Sequence, residues 1–111
     1  KMQALTEGKI NPPSVLGHGL QCHPRTAVGV KGNSLIFVLV EGDDTQGGCT
    51  LPELQEVGLK LGLNAFLNLD GGGSSQFKIF ENNQWISNYI SKEDQNRILG
   101  NVIVLFEEQL K

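Results

Sequence analysis

Two apolar stretches joined by a short turn dominate the first half of the chain. Residues 26–30 combine apolar and small side chains and predict a strand. A hairpin turn is predicted next, because Gly32 and Asn33 both tolerate positive φ. The second stretch, Ser34–Val40, is apolar on both faces, which predicts a central strand that is covered on both sides of a sheet.

One helix is predicted, over residues 51–62. Thr50 and Glu53 have the spacing of a capping box, and Pro52 falls in the first turn, where a missing N–H costs nothing. The apolar residues that recur at helical spacing are Leu54, Val57 and Leu61. Gly58 lowers the helix propensity by about 1 kcal/mol relative to alanine. A glycine at that position therefore indicates a helix that packs closely on a sheet.

The second half of the chain contains four further predicted strands. Residues 65–69 form a strand that leads into a run of glycines, and residues 76–80 and 84–87 flank a hairpin turn at Asn82-Asn83. Residues 98–106 are rich in branched apolar side chains and predict a final, buried strand.

The order of these elements predicts an α+β fold, with one helix packed on a mixed, mostly antiparallel sheet. Residues 1–24 are rich in glycine and proline and are expected to form an irregular lead-in segment. Residues 25–111 are expected to form the domain itself.

The composition and net charge of the chain exclude several classes of function. The chain has 111 residues, which fits one small domain, with 39% hydrophobic residues and a net charge of -3. Binding to nucleic acid or to an anionic membrane surface would need clustered lysine and arginine, and no such cluster is present. The longest apolar run, residues 35–40, is far shorter than the roughly 20 residues that span a bilayer. We therefore expect no nucleic-acid partner and no membrane insertion by this segment.

The two cysteines, Cys22 and Cys49, do not have the spacing of a metal site, and His18 and His23 do not complete one. Two buried thiols or one disulfide are both compatible with the sequence. No cofactor is predicted.

An acidic, glycine-rich loop follows the second strand and contains Glu41, Asp43 and Asp44. These carboxylates are the ligand type that a divalent cation prefers. A solvated turn is the favoured interpretation, and no metal ligand is assigned.

The strongest local signal is the segment Leu69-Asp70-Gly71-Gly72-Gly73-Ser74-Ser75. It places a carboxylate at the end of a strand, beside backbone that has no side chains to block a ligand. Successive amides in such a turn can form an anion-binding nest, and the two hydroxyl groups add donors. A glycine bulge or sharp corner with a solvated aspartate is the alternative interpretation.

A second signal is the segment His23-Pro24-Arg25-Thr26, which leads into the first predicted strand of the chain. The chain contains two arginines, Arg25 and Arg97, and the planar guanidinium suits phosphate or carboxylate better than an ammonium group does. A structural ion-pair partner is the alternative role for Arg25, and a surface or capping position is the alternative for His23.

Taken together, these segments resemble the phosphodiester glycosidase family. The motifs that carry the resemblance, in order, are His23-Pro24-Arg25-Thr26-Ala27-Val28-Gly29-Val30, Gly48 with Thr50-Leu51 and Glu53-Leu54, Leu61-Gly62, Ala65 with Asn68-Leu69-Asp70-Gly71-Gly72-Gly73-Ser74-Ser75, and then Asn88 and Arg97. The sequence departs from the family pattern at Glu41-Gly42-Asp43, where the family usually has Asp-Gly-Arg. This change weakens a phosphate-binding role for that loop.

The resemblance implies hydrolysis of the bond between an anomeric sugar carbon and a phosphodiester oxygen. Asp70 would be the catalytic carboxylate, and Arg25 would neutralise the phosphate together with the glycine loop. The substrate-binding residues that the resemblance implies are His23, Thr26, Gly71, Gly72, Gly73, Ser74, Ser75 and Arg97. Glu41 is a weak candidate for a second carboxylate.

The resemblance also implies partners and a location. The substrate would be a sugar phosphate or a phosphodiester-linked glycan. The chain would correspond to the C-terminal portion of the family domain, with the N-terminal half as its partner and as the better source of the second carboxylate. Family members tend to be extracytoplasmic. The competing hypotheses are a non-catalytic sugar- or anion-binding module on the same fold and a half-domain that has no stable core alone.

Overall fold

The computed structural model describes residues 3–6, 9–11, 19–42, 46–92, 98–100 and 102–107. The elements are the strands β1 (Gln3–Thr6), β2 (Lys9–Asn11), β3 (Arg25–Lys31), β4 (Ser34–Val40), β5 (Ala65–Asn68), β6 (Gln76–Glu81) and β7 (Gln84–Ile90), and the helix α1 (Leu51–Lys60). A five-stranded sheet has the order β2-β1-β5-β3-β4, and β6 and β7 form a separate hairpin. Each strand pairing between these elements is antiparallel. The α+β prediction is confirmed.

Helix α1 forms where the local sequence signals place it. The backbone N–H of Glu53 donates to Thr50 Oγ1, and the Glu53 carboxylate accepts from the Thr50 N–H, so the predicted capping box is present. The helix is capped at its C-terminal end by Leu61 and is followed by Gly62, whose φ of +73° suits glycine. The prediction of a helix over 51–62 is correct to within two residues.

The hydrophobic core lies between α1 and one face of the five-stranded sheet. Its buried members are Ala27, Val38, Cys49, Leu51, Leu54, Leu63 and Phe66. A Cβ at Gly58 would lie 2.7 Å from Cδ1 of Phe66, so the helix approaches β5 as closely as a glycine allows. The close packing predicted from Gly58 is confirmed.

Replacing Thr50 by Ala is expected to lower the free energy of unfolding by about 1 kcal/mol, because the cap of α1 is lost. Thr50→Ser keeps the hydroxyl group and is expected to retain most of the stability. Chemical denaturation of the three proteins measures the effect. Equal stability of Thr50→Ala and the parent protein would contradict a role for the cap.

The same substitution is expected to change the pH dependence of stability. The backbone N–H of Thr50, and to a smaller extent its hydroxyl group, donate to the Glu53 carboxylate and lower the pKa of Glu53 below its ordinary value of 4.5, and Thr50→Ala removes only the hydroxyl bond. A carboxylate with a lowered pKa in the folded state stabilises the protein above its ordinary pKa, and this stabilisation is lost as the pH falls through the folded-state pKa. The stability difference between the parent protein and Thr50→Ala should therefore shrink in acid, as denaturation midpoints at a series of pH values would show.

Strand β4 is an edge strand, so the prediction of a central, fully covered strand was wrong. Its pairing with β3 includes the predicted turn, with Lys31 opposite Ser34. One face, which includes Val38, packs on the core, whereas Leu35 on the other face is 61% exposed. An apolar run is compatible with burial of both faces of a strand, but burial also requires elements that pack on each face, and the run itself does not determine these.

The prediction of an irregular segment over residues 1–24 was wrong for the parts that form β1 and β2. Strand β1 pairs with β5 over its whole length, with Gln3 opposite Asn68. These strands have only four and three residues, too short for a hydrophobic period to indicate them. Their ladder depends on β5, which is remote in sequence.

The prediction of a final, buried strand over residues 98–106 was also wrong. Residues 98–100 and 102–106 belong to no strand, and Phe106 is 85% exposed. The apolar composition favours a strand, but a strand also needs a hydrogen-bonding neighbour.

By contrast, the β6–β7 hairpin forms around Asn82 and Asn83 as predicted, with φ values of +51° and +60°.

Candidate functional site

The pairing of β3 with β5 brings the segment that carries the predicted carboxylate alongside the segment that carries the predicted arginine. Beyond the end of β5, the backbone N–H of Leu69 donates to the carbonyl oxygen of Thr26 at 2.8 Å, in the same register as the strands. Asp70 directly follows Leu69 in the chain, and Arg25 directly precedes Thr26. Asp70 lies at the surface, immediately before the glycine loop.

The glycine loop turns back onto the start of β3. It contains a short 3-10 helix, Gly72–Ser74, and the N–H of Gly72 donates to the carbonyl oxygen of Pro24 at 2.8 Å. The amides of Ser74 and Ser75 donate to carbonyl groups within the loop, at 3.1 and 3.0 Å. Three of the five loop amides are therefore used by the protein itself.

Two of the glycines are required by this arrangement. A Cβ at Gly71 would lie 2.8 Å from the carbonyl oxygen of Pro24 and 3.8 Å from Cδ of Arg25. Gly72 has a φ of +58°, a conformation that side chains rarely adopt. The sharp corner considered from the sequence is thus present, and its backbone lies directly on the Pro24–Arg25 segment.

Arg25 is buried, with 7% of its surface exposed, and its guanidinium group bonds to the protein backbone. Nε donates to the carbonyl oxygen of Cys49 and Nη2 to that of Gln21, both at 2.8 Å. These bonds fix the charged group and join three segments of the chain. The sequence did not indicate either acceptor, because carbonyl groups leave no mark in a side-chain pattern.

His23 lies beside this anchor. It forms an antiparallel bridge with Cys49, with N···O distances of 3.3 and 3.0 Å, and its Nε2 is 3.2 Å from the side-chain oxygen of Gln21. Gly48 crosses the His23 backbone so closely that a Cβ there would meet the His23 carbonyl group. His23 is therefore held near Arg25 by the backbone pairing.

Three buried side-chain oxygen atoms, one each in β3, β5 and the glycine loop, have no hydrogen-bond partner among the residues that the structure describes. They are Thr26 Oγ1, Asn68 Oδ1 and Ser75 Oγ. Unsatisfied buried groups are uncommon in native proteins and concentrate at functional sites. Asn68 was absent from the predicted site residues, because what distinguishes it is burial, which the residue type does not reveal.

The β6–β7 hairpin is attached to the site at its base. The N–H of Ser91 donates to the carbonyl oxygen of Ser75 at 2.9 Å, and both serines are fully buried. The Tyr89 hydroxyl donates to the Gly42 carbonyl oxygen at 3.4 Å and accepts from the Gly42 N–H at 3.3 Å. The hairpin therefore extends outward from the loop that carries the candidate site.

The structure thus brings the glycine loop onto the segment that carries His23, Arg25 and Thr26, and Asp70 lies at the surface directly before that loop. Arg97, Asp43 and Asp44 lie outside the described residues. Within the described parts of the chain, no group of three or more His, Cys, Asp or Glu residues could hold a metal ion. No helix in these parts is long and apolar enough to cross a bilayer.

Both cysteines are free thiols, Cys22 exposed and Cys49 buried. Burial raises the pKa of Cys49 to about 11, with the charge of Arg25 opposing that rise. The Cys49 thiol is therefore protonated at neutral pH and does not act as a nucleophile.

Comparison with known proteins adds one finding. Neither the curated proteins nor the solved structures yielded a match to this chain. The family model for phosphodiester glycosidases matches residues 3–106, a range that contains β1, β2 and every candidate site residue. The resemblance noted in the motifs is confirmed over nearly the whole chain, and the chain belongs to the phosphodiester glycosidase family.

Proposed function

We propose that the site hydrolyses a sugar 1-phosphodiester, with water cleaving the bond between the anomeric carbon and the phosphodiester oxygen. The hydroxyl group of water is transferred to the anomeric carbon and its proton balances the departing phosphate monoester. The proposal is supported by one observation: a backbone bond joins Leu69, the residue before Asp70, to Thr26, the residue after Arg25, while the glycine loop returns onto Pro24.

Asp70 is assigned the role of catalytic carboxylate. Cleavage of a glycosidic bond passes through an oxocarbenium-like state, which a nearby carboxylate stabilises directly, as a nucleophile or by activating water. The exposed position of Asp70 beside side-chain-free backbone supports this role, because a sugar ring can approach it.

Charge neutralisation of the leaving phosphate is assigned to the loop backbone and Arg25. The loop amides without an acceptor among the described residues are those of Gly71 and Gly73, and these are the donors proposed to bind the phosphate. The bonds of Arg25 to backbone carbonyl groups hold its positive charge in place, so no reorganisation is needed when negative charge develops.

The remaining assignments are proposals of the same kind. Thr26 and Ser74, together with Ser75, would orient phosphate oxygens or sugar hydroxyl groups, and the unsatisfied oxygens of Thr26 and Ser75 support a polar role at this junction. His23 would line the rim, and Arg97 would bind substrate from outside the described residues. A second carboxylate would come from Glu41 or from a segment outside this chain.

The phosphate subsite can be tested by NMR titration of the protein with glucose 1-phosphate. Saturable shifts are expected for the amides of the half-buried Gly71 and the buried Gly73, because neither has an acceptor among the described residues. The amide of Gly32, in the β3–β4 turn, serves as the internal control and should not shift.

Two outcomes would count against the proposal. Equal shifts at Gly32 and in the loop would indicate non-specific binding, and unshifted loop amides in a folded protein would place the phosphate elsewhere. Saturable binding without any hydrolysis of phosphodiesters would instead favour the non-catalytic binding module.

A further inference from the structure

The β6–β7 hairpin ends in a tight turn. Its turn residues, Asn82 and Asn83, both have left-handed φ values, which is the geometry of a two-residue turn that follows the natural twist of paired strands. Glu81 and Gln84 face each other across this turn. The turn therefore sets the register in which the side chains of β6 and β7 near the tip lie opposite each other.

Two aromatic side chains and a lysine lie together near this tip. Phe80 pairs directly with Trp85, and their ring centroids are 4.8 Å apart with an interplanar angle of 55°. The rings are 57% and 63% exposed. Lys78 Nζ lies 5.7 Å from the centroid of the Trp85 ring. We call Lys78, Phe80 and Trp85 the aromatic platform.

The composition of the aromatic platform indicates the kind of ligand that it suits. Exposed aromatic rings provide flat apolar contact area at a low entropic cost, because an aromatic side chain has only two rotatable bonds to order. The C–H face of a sugar ring is flat and apolar, whereas its rim carries hydroxyl groups. The lysine beside the rings adds a positive charge that would attract a phosphate. A phosphate-bearing glycan offers both features.

The position of the aromatic platform relative to the candidate site supports the same ligand. Strand β6 begins directly after Ser75, and Phe80 is five residues further along it. At about 3.4 Å per residue, the platform lies on the order of 17 Å from the glycine loop. A glycan of several units bound at the loop could reach it along the hairpin.

We propose that the aromatic platform is a second glycan subsite, which binds a remote sugar of a phosphodiester-linked glycan. The choice of a phosphate-bearing ligand rests on the proposed function. Trp85 stacks against the sugar ring while Phe80, whose ring is tilted by 55° relative to that of Trp85, contacts the edge of the same sugar, and Lys78 contacts a phosphate between neighbouring units.

Trp85 is the one tryptophan of the chain, so its fluorescence reports on the aromatic platform directly. The probe is a synthetic oligomer of six mannose units joined by phosphodiesters, and its neutral counterpart is α1→6-linked mannohexaose. We expect a saturable fluorescence change with the phosphodiester oligomer and a weaker one with the neutral hexasaccharide. Mannose 1-phosphate, which is too short to span both sites, should leave the fluorescence unchanged at the same concentration.

Substitutions separate the contributions of the rings and of the charge. Phe80→Ala is expected to weaken binding of both hexamers by about fivefold to tenfold, as expected for loss of one aromatic contact. Lys78→Gln should weaken binding of the phosphodiester oligomer alone. Phe77 lies on the opposite face of β6, and Lys31 lies in the β3–β4 hairpin. The matched controls Phe77→Ala and Lys31→Gln should therefore bind both hexamers as the parent protein does.

The outcomes distinguish this proposal from the proposed function. A fluorescence signal that follows protein concentration rather than glycan concentration would mean that a second copy covers the platform, and would overturn the proposal. So would an unchanged signal, or equal losses in Phe77→Ala and Phe80→Ala. Hydrolysis of single-unit sugar 1-phosphodiesters should be unchanged in Phe80→Ala, and failure of that hydrolysis in the parent protein would count against the proposed function alone.

Discussion

Asp70→Asn is expected to lower kcat/KM for hydrolysis of a sugar 1-phosphodiester by about 10³-fold, within the range typical of a lost catalytic acid or base group. The amide has nearly the same shape as the carboxylate but has neither its charge nor its basicity. It can neither stabilise an oxocarbenium-like centre nor accept a proton from water. Because Asp70 is exposed, the fold should be unaffected.

The measurement is the rate of release of sugar and methyl phosphate from a panel of sugar 1-(methyl phosphates). Glu56→Gln is the matched control, since it removes an exposed carboxylate from α1. Glucose 1-phosphate should still bind to Asp70→Asn, as followed by NMR. Undiminished hydrolysis by Asp70→Asn would remove Asp70 from the mechanism, whatever the result for the control.

Gly48→Ala is expected to lower the free energy of unfolding by about 2–4 kcal/mol, a large effect for a single methyl group. Gly48 has a φ of +77°, and its Cβ would meet the backbone carbonyl group of His23. Backbone atoms cannot rotate away as a flexible side chain can. The bridge between His23 and Cys49 must therefore open, which would also disturb the bond between Arg25 Nε and the Cys49 carbonyl group.

Gly32→Ala provides the matched control for this substitution. Gly32 also has a positive φ, +58°, but among the residues that the structure describes, its chain neighbours aside, no atom lies within 4 Å of the position of its Cβ. Its substitution should cost only about 1 kcal/mol, from the left-handed backbone alone. Denaturation curves of both variants, with the NMR signal of the Arg25 side chain as a local readout, make the comparison. Equal losses of stability in the two variants would show that the crossing at His23 is not tight.

The parts of the fold that were predictable are those in which neighbouring residues determine the structure. Thr50 and Glu53 specify the start of α1, and Asn82-Asn83 specifies the hairpin turn, because in both cases the interacting groups are a few residues apart. The pairing of β1 with β5 joins residues about sixty positions apart, and no local pattern encodes it. The edge position of β4 depends likewise on the order of strands in the sheet.

The candidate site likewise has features that the sequence predicts and features that it does not. The motif around Asp70 and the glycines was apparent because its residue types are unusual, and the structure brings it to Arg25. The direction of the Arg25 guanidinium was not predictable, since its acceptors are the carbonyl groups of Gln21 and Cys49. Asn68 was overlooked because burial, and not residue type, distinguishes it.

The junction at Pro24 and Arg25 also has a consequence for the order of folding. Arg25 bonds to a residue 24 positions away, and Pro24 bonds to the more distant Gly72. Closing such long loops is slow and entropically costly, so these bonds should form after α1 and the β3–β4 hairpin. Contacts that form late are the first to open, so the bond from Gly72 to Pro24 should break before the β3–β5 ladder does. The Gly72 amide should therefore exchange with solvent faster than the amides of that strand pair, and a ligand that binds the loop would slow its exchange.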